Sequence, residues 1–524
     1  MNDPAADAVE PSARLRIEDQ NGHRGPVARA RTCALWGLET ALIVVEADVA
    51  NGMPTFAIVG LPDSAVSEAR ERVRSAIRNS GFEFPLRRIV VNLAPAERRK
   101  EGTGFDLAIA LAILRASDQL SADPDGLCLG ELALDGTLRP IRGVMPRVLR
   151  ARESEIHRAF LPAENAAEAA ALGVEAISLA SLRAAVDHLE GRVRQPPAAI
   201  PSAASEPTWD VDLADIAGQD TPKRALEITA AGGHNLLMIG PPGTGKTMLA
   251  RALPSILPPL EPDEVVLTST IHSVAGLTDP DRPLLTARPF RAPHHTASRL
   301  ALVGGGVPPR PGEVSLAHGG ALFLDEIAEF PVRVLETLRE PLEEGAITIS
   351  RAGAVATYPA RFTLVAAQNP CPCGRLGDPE AQCSCLPDAI SRYRARLSDP
   401  LLDRIDLRVA VPRVPHRGLR QRQQRETSAA VRARVRSARE RMLHRLAGTG
   451  RRCNAEMTKA EAERHCGLDE AGERMMSAAV SMRRISARGF HRLLRVSRTI
   501  ADLSDAERIG SEHLALALLL RGDV

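Results

Sequence analysis

The chain has 524 residues, a net charge of +2, 44% hydrophobic and 25% charged residues, which excludes a chain disordered throughout. At about 150 residues per domain the length suggests roughly three domains, and no apolar run is long enough to span a bilayer. Aromatic residues make up only 3%, which argues against a base-stacking platform for single strands.

Residues 1–30 are polar, carry both charge signs and have no apolar signal core, so they read as the flexible leader of a cytoplasmic protein. From 31 to 190, strand-like runs at 41–49, 89–93 and 128–134 alternate with helical ones at 64–80 and 105–116, an α/β or α+β pattern. The Pro/Ala/Ser tract GRVRQPPAAIPSAASEP has no apolar period and sets a linker over 191–209. From 210 to 412, short apolar strands recur at 235–239, 321–324, 362–366 and 407–411 with helices between them, as in a mostly parallel sheet. From 413 to 524 the pattern is helical. Val431, Val435, Ala438, Met442 and Leu446 form one apolar stripe, and Ser511 is the expected N-cap of the last helix.

The strongest chemical signal is GPPGTGKT: Gly240, Pro241, Pro242, Gly243, Thr244, Gly245, Lys246 and Thr247. It follows the apolar run NLLMI and opens the helical run MLARAL, the setting a phosphate-binding loop needs. Backbone N–H groups turn toward phosphates there, and the helix N-terminus adds partial positive charge. Lys246 would reach the β and γ phosphates of ATP, and Thr247 would ligate Mg²⁺. Lysine is scarce in this chain, at Lys100, Lys223, Lys246 and Lys459 alone, so 63 of the 67 cations are arginine. A second element, ALFLDE, ends an apolar strand in Asp325 and Glu326. The first would hold Mg²⁺ and the second would polarise the attacking water.

Together with Asp215-Ile216-Ala217-Gly218-Gln219 upstream, these elements resemble an AAA+ ATPase. The resemblance implies further roles. FTLVAAQN resembles the sensor-1 strand, which assigns its polar residue to Asn369. LLDRIDL resembles the arginine-finger segment of magnesium chelatases and replicative helicases, which assigns the finger to Arg404. Ser486-Ala487-Arg488 begins a helix like the sensor-2 helix, with Arg488 in that role and Arg492 and Arg495 as alternatives. A finger serves a neighbour's ATP, so the resemblance implies a ring, most simply a hexamer.

In the first domain, RKEGTGFDLAIALAIL followed by LGELALDGTLRPIRGV looks like the Lon-protease fold. In that fold a serine follows the motif's first lysine by four residues; here that position is Gly104, and no lysine lies between Lys100 and Lys223. Both members of the dyad are missing, so the Lon-protease-like domain is non-proteolytic. A Lon-protease-like domain, a central AAA+ P-loop ATPase domain and a C-terminal helical lid domain together describe one family. From about Arg31 onward the chain is similar to the magnesium-chelatase-like ComM/YifB proteins. PFRAPHHTAS, GEVSLAHGGALFLDE and ISARGFHRLLRVSRTIADL carry much of the likeness. The resemblance implies ATP-driven helicase and branch migration on recombination intermediates, in DNA uptake by transformation and in company with recombination proteins.

Residues 413–452 hold thirteen arginines against two acids, which suits either a phosphate-binding face for DNA or a solvated helix face. A hairpin over 345–361 would present Arg351 to DNA in a ring pore, with Arg291, His294 and His295 as further contacts. Cys371, Cys373, Cys383 and Cys385 form a local cluster, unlike the scattered Cys33, Cys128, Cys453 and Cys466. Four thiolates fit structural Zn²⁺, and free or redox-active thiols are the other reading. The alternative function is a chelatase-type ATPase that remodels a protein partner for metal insertion. A nucleotide-regulated scaffold is opposed by Glu326 and Arg404, which it would not need.

Overall fold

A computed structural model of the chain describes residues 27–200, 209–351, 354–414, 425–481 and 487–522. The first part folds around a seven-stranded mixed sheet. Its spatial order is Thr55–Val59, Arg88–Ala94, Glu39–Ala50, Ala28–Trp36, Leu127–Cys128, Arg158–Pro162, Glu175–Leu179. The strand Ala28–Trp36 starts inside the expected leader and pairs with the next from Ala28↔Ala47 to Trp36↔Glu39. Ala28 and Ala30 point inward while Arg29 and Arg31 face water, an alternation that reads as polar in one dimension. The helix Asp106–Ala116 is buried on every side from Asp106 to Leu114, which explains its unbroken apolar run. The expected strand at 128–134 is instead two short ones, Leu127–Cys128 and Glu131–Leu132, parted at Gly130. That glycine has φ +152°, and a Cβ there would lie 2.7 Å from Leu138 Cδ2. The start of the expected linker lies on this sheet, with Ala198 N–H donating to Ala176 O at 2.8 Å.

The second part is a five-stranded parallel sheet in the order Phe290–Arg291, Ala321–Leu324, Thr363–Gln368, Leu236–Ile239, Leu407–Ala410. Successive residues feed two cores. Leu236, Met238, Phe323, Val365 and Val409 pack on one face, and Leu237, Leu322, Leu324, Leu364 and Ala366 on the other. Burial on both faces is why these strands read as continuous apolar runs. The hairpin Ala346–Arg351/Ala354–Pro359 precedes the strand Thr363–Gln368, as the sequence suggests. Arg351 ends its first strand.

The helical C-terminal segment covers the first of these faces. The helix Ser428–Arg445 packs on Asp220–Gly232 and Lys246–Ile256 through Val431, Val435, Ala438 and Met442. The last helix, Ser511–Arg521, lies against the strand Leu407–Ala410. Its N-cap is Gly510 and not Ser511, because the Gly510 N–H is already met by His513 Nδ1 at 2.9 Å, so the helix starts a residue earlier than expected. The first part joins the second at the helix Pro262–Ala275. Gly143 N–H donates to Ser273 O at 2.9 Å and Ser273 Oγ to the buried Glu168 at 2.6 Å. No helix among the described residues is long and apolar enough to cross a membrane.

Candidate nucleotide site

Register alone gathers the site. Ile239 pairs with Gln368 and Leu324 with Ala366, so Gly240, Asp325 and Asn369 all leave the sheet at its carboxyl edge. The chain passes from Leu236–Ile239 to the edge strand Phe290–Arg291 and from the adjacent Thr363–Gln368 to the opposite edge strand Leu407–Ala410, a switch point of the kind where parallel sheets bind ligands. Gly240 must be glycine, since a Cβ would sit 2.2 Å from Val411 O. Gly243 and Gly245 have φ of +76° and +91° and open space where a Cβ would be, the free volume a phosphate cradle needs.

Within this edge the polar groups converge. Lys246 Nζ donates to Gly240 O at 2.7 Å, Pro241 O at 2.9 Å and Asn369 Oδ1 at 3.2 Å. Burial lowers the pKa of this amine, against the pull of Asp325 and Glu326. Thr247 Oγ1 donates to Asp325 Oδ2 at 2.7 Å, a hydroxyl and a carboxylate paired where a hard cation takes oxygen ligands. The donor set suits Mg²⁺ and a nucleotide phosphate. Thr244 is buried with its hydroxyl on Pro241 O at 3.0 Å, and Gln219 Nε2 bonds Thr244 O at 3.1 Å and Pro412 O at 2.7 Å. Gln219 thus holds the loop from behind, a role the sequence leaves unread because its partners lie far along the chain.

Glu326 sits half-exposed next to Asp325 in a left-handed conformation, φ +49°, which is uncommon for residues other than glycine. His295 Nδ1 lies 4.0 Å from its Oε2, and the His295 ring packs near His294 and Phe330. The sequence reading groups His295 with Arg291 and His294 as DNA contacts. The structure separates them: Arg291 is held by Glu313 in a bidentate pair at 2.6 and 2.8 Å, while His295 faces Glu326. His295 reaches Glu326 because it follows the strand Phe290–Arg291, which pairs with the strand Ala321–Leu324 just before Asp325.

The arginines assigned by resemblance lie elsewhere. Arg404 precedes the strand Leu407–Ala410 at the sheet's amino edge, away from the phosphate loop of its own chain. It is 8% exposed and paired with Glu343. Arg488 begins the helix Ala487–Leu503, and its side chain falls outside the described residues; that of Arg351 does too. Arg492 lies 3.7 Å from Asp406 and Arg495 donates to Ala455 O at 3.3 Å, so neither reaches the same chain's phosphate loop.

The thirteen arginines of 413–452 are largely spent on internal contacts. Arg413 binds Asp378, Arg434 binds Glu227 and Glu426, Arg445 binds Asp502, and Arg451 binds Glu461. Arg441 and Arg452 pair with Asp505 and Asp263. Apart from Glu426, these partners lie outside the stretch, which is why counting acids within it misleads. Arg417, Arg420 and Arg422 lie outside the described residues. By contrast the four cysteines converge as expected: Sγ atoms of Cys371, Cys373, Cys383 and Cys385 all lie within 4.8 Å of one another. The Arg375 N–H, with other hydrogen bonds, draws the Cys373 thiol down to about 6.

A glycine-rich loop between strand and helix, a strand ending in Asp-Glu and a polar residue on the strand between them define a P-loop ATPase of the AAA+ type. Family models described as magnesium chelatase subunit ChlI match residues 212–419 and 45–165, and its C-terminal part matches 425–521. The chain is 45% identical to the competence protein ComM of Haemophilus influenzae over 499 residues, 94% of this chain and 96% of that one. It is 44% identical to the uncharacterized protein YifB of Salmonella typhimurium, over 94% and 97% of the two chains. The magnesium-chelatase 38 kDa subunit of Cereibacter sphaeroides matches at 28% over 172 residues, 30% of this chain and 51% of that one. The chain belongs to the ComM/YifB family of magnesium-chelatase-like AAA+ proteins.

Proposed function

We propose that this chain is an ATP-driven ring motor acting on single-stranded or branched DNA, a helicase and branch-migration engine for recombination intermediates. The observation that carries the ATPase half is the convergence of Lys246, Thr247, Asp325, Glu326 and Asn369 at one sheet edge. Lys246 binds the β and γ phosphates. Thr247 and Asp325 would hold Mg²⁺, which would supply positive charge to offset the phosphates. Glu326 takes the proton of the attacking water, and Asn369 orients the lysine and the γ phosphate. The DNA half rests on similarity over nearly the whole chain to a protein named for competence. The chelatase 38 kDa subunit of Cereibacter sphaeroides matches over 30% of this chain at 28% identity, against 94% at 45% for the competence protein, so metal insertion is the weaker reading.

Arg404 supports a ring, most simply a hexamer, because it lies at the sheet edge away from its own loop, and it would have to leave Glu343 to reach a neighbour's nucleotide. The hairpin Ala346–Arg351/Ala354–Pro359 is our candidate pore contact. The first domain is Lon-protease-like without proteolysis, since Gly104 stands at the serine position and no lysine lies between Lys100 and Lys223. Zn²⁺ is the ion we assign to the four cysteines, because four converging thiolates match its preferred set. The test is release of a labelled strand from a mobile four-way junction. Release that requires ATP and disappears in Lys246→Ala supports the motor, whereas turnover of ATP without strand release on any substrate overturns it.

A further inference from the structure

The four-cysteine cluster is not a remote clip. Cys371 begins two residues after Asn369, whose Oδ1 accepts from Lys246 Nζ at 3.2 Å. Cys371 is fully buried, and its Sγ lies 3.4 Å from that of Cys373 and 3.7 Å from that of Cys383, with Cys373 and Cys383 at 3.6 Å. Zn–S bonds of about 2.3 Å in a tetrahedron put sulfurs about 3.8 Å apart, so little movement would seat the ion. Inside the CPCG turn, Gly374 N–H donates to Cys371 O at 2.9 Å. Gly374 has φ +74°, and a Cβ on it would lie 2.6 Å from Pro242 Cδ and 2.7 Å from its Cγ. The cysteine turn therefore rests directly on the phosphate loop.

The far side of the same segment is tied down as well. Asp378 accepts from Glu380 N–H at 3.0 Å and from Arg413 Nε at 2.8 Å. Arg413 follows Pro412, whose carbonyl accepts from Gln219, the residue that also holds Thr244 of the phosphate loop. Between these ties the two Cys-x-Cys pairs, nine residues apart, are joined by a loop with no helix or strand. A metal on the four thiolates would close this loop and stiffen its shape against Pro242.

We infer that the metal bound by Cys371, Cys373, Cys383 and Cys385 closes this segment into one wall of the nucleotide site, so that its occupancy sets the affinity for nucleotide. The inference rests on the zinc assignment above and adds the coupling to the phosphate loop. A consequence is that thiol oxidants or chelators, by releasing the ion, would weaken nucleotide binding without touching Lys246 or Asp325.

The experiment uses the full-length protein with two readouts, zinc content by elemental analysis and equilibrium affinity for a fluorescent ADP. Wild type is expected to carry one zinc per chain. Cys383→Ser, at a half-buried position, is expected to lose zinc and bind ADP about tenfold more weakly or worse, with an unchanged circular dichroism spectrum. Gly374→Ala is expected to keep its zinc and still bind ADP more weakly, since its methyl would push against Pro242. Wild-type protein with well under one zinc per chain would overturn the metal assignment itself. Protein stripped of zinc, or Gly374→Ala, that binds ADP with wild-type affinity would overturn the coupling and leave the metal assignment standing.

Discussion

Glu326 adopts a left-handed backbone conformation that few glutamates adopt, at the point where the strand Ala321–Leu324 must release two acids into the crevice. Replacing it with glutamine keeps the shape and removes the base. Glu326→Gln is expected to lower ATP turnover by about a hundredfold or more while nucleotide binding persists, measured by steady-state rate beside filter-bound ATP. Turnover within a factor of two of wild type would show that the water is activated elsewhere. A second residue reports on pH. His318 is buried with Nδ1 accepting from Arg361 N–H at 3.1 Å, and burial holds its pKa down at about 4. The unfolded chain binds the proton from about pH 6.5, so stability is full above that value and falls as pH drops toward 4. The expected loss is of order 1 kcal/mol per pH unit over that window, and His318→Gln should flatten the pH dependence of the melting temperature.

Among the elements, the helical C-terminal segment is held by one buried carboxylate. Asp502 accepts from Arg445 Nη1 at 2.8 Å and Nη2 at 2.5 Å, from Asn454 Nδ2 at 2.9 Å and from Arg498 Nε at 3.1 Å. Asp502→Ala would leave two guanidiniums unpaired, and a loss of about 3–5 kcal/mol is expected in denaturant unfolding. A loss under 1 kcal/mol would mean that water reaches the cluster. This network also shows what the sequence conceals. The phosphate loop, the Asp-Glu strand and the strand leading to Asn369 are legible because each motif is contiguous and its meaning is local. The arginine-rich stretch misleads because Asp502, Glu227, Asp263 and Glu461, which neutralise it, lie elsewhere along the chain. Likewise the Ser273–Glu168 bond, which joins a helix of the first part to one of the second, links residues 105 positions apart, one in an alanine-rich helix that reads as featureless. The strand Ala28–Trp36 escapes because alternating Ala and Arg carries almost no apolar signal, although pairing gives it a clear inside and outside.

For the whole molecule the account turns on Arg404, which cannot serve its own nucleotide from the amino edge of the sheet. Arg404→Ala and Lys246→Ala, each inactive alone, should therefore recover activity on mixing. In a randomly assorted ring about a quarter of the interfaces pair an intact loop with an intact arginine. Mixtures that stay inactive although they co-assemble would place the arginine's role within one chain. The measurement that bears most directly on the motor is the ATPase rate with no DNA, single strands, duplex and a mobile four-way junction, repeated across a salt series. The prediction is stimulation by single strand or junction that fades steeply as salt rises and is absent in Lys246→Ala. A competent ATPase indifferent to every DNA would contradict the motor and turn attention to a protein substrate.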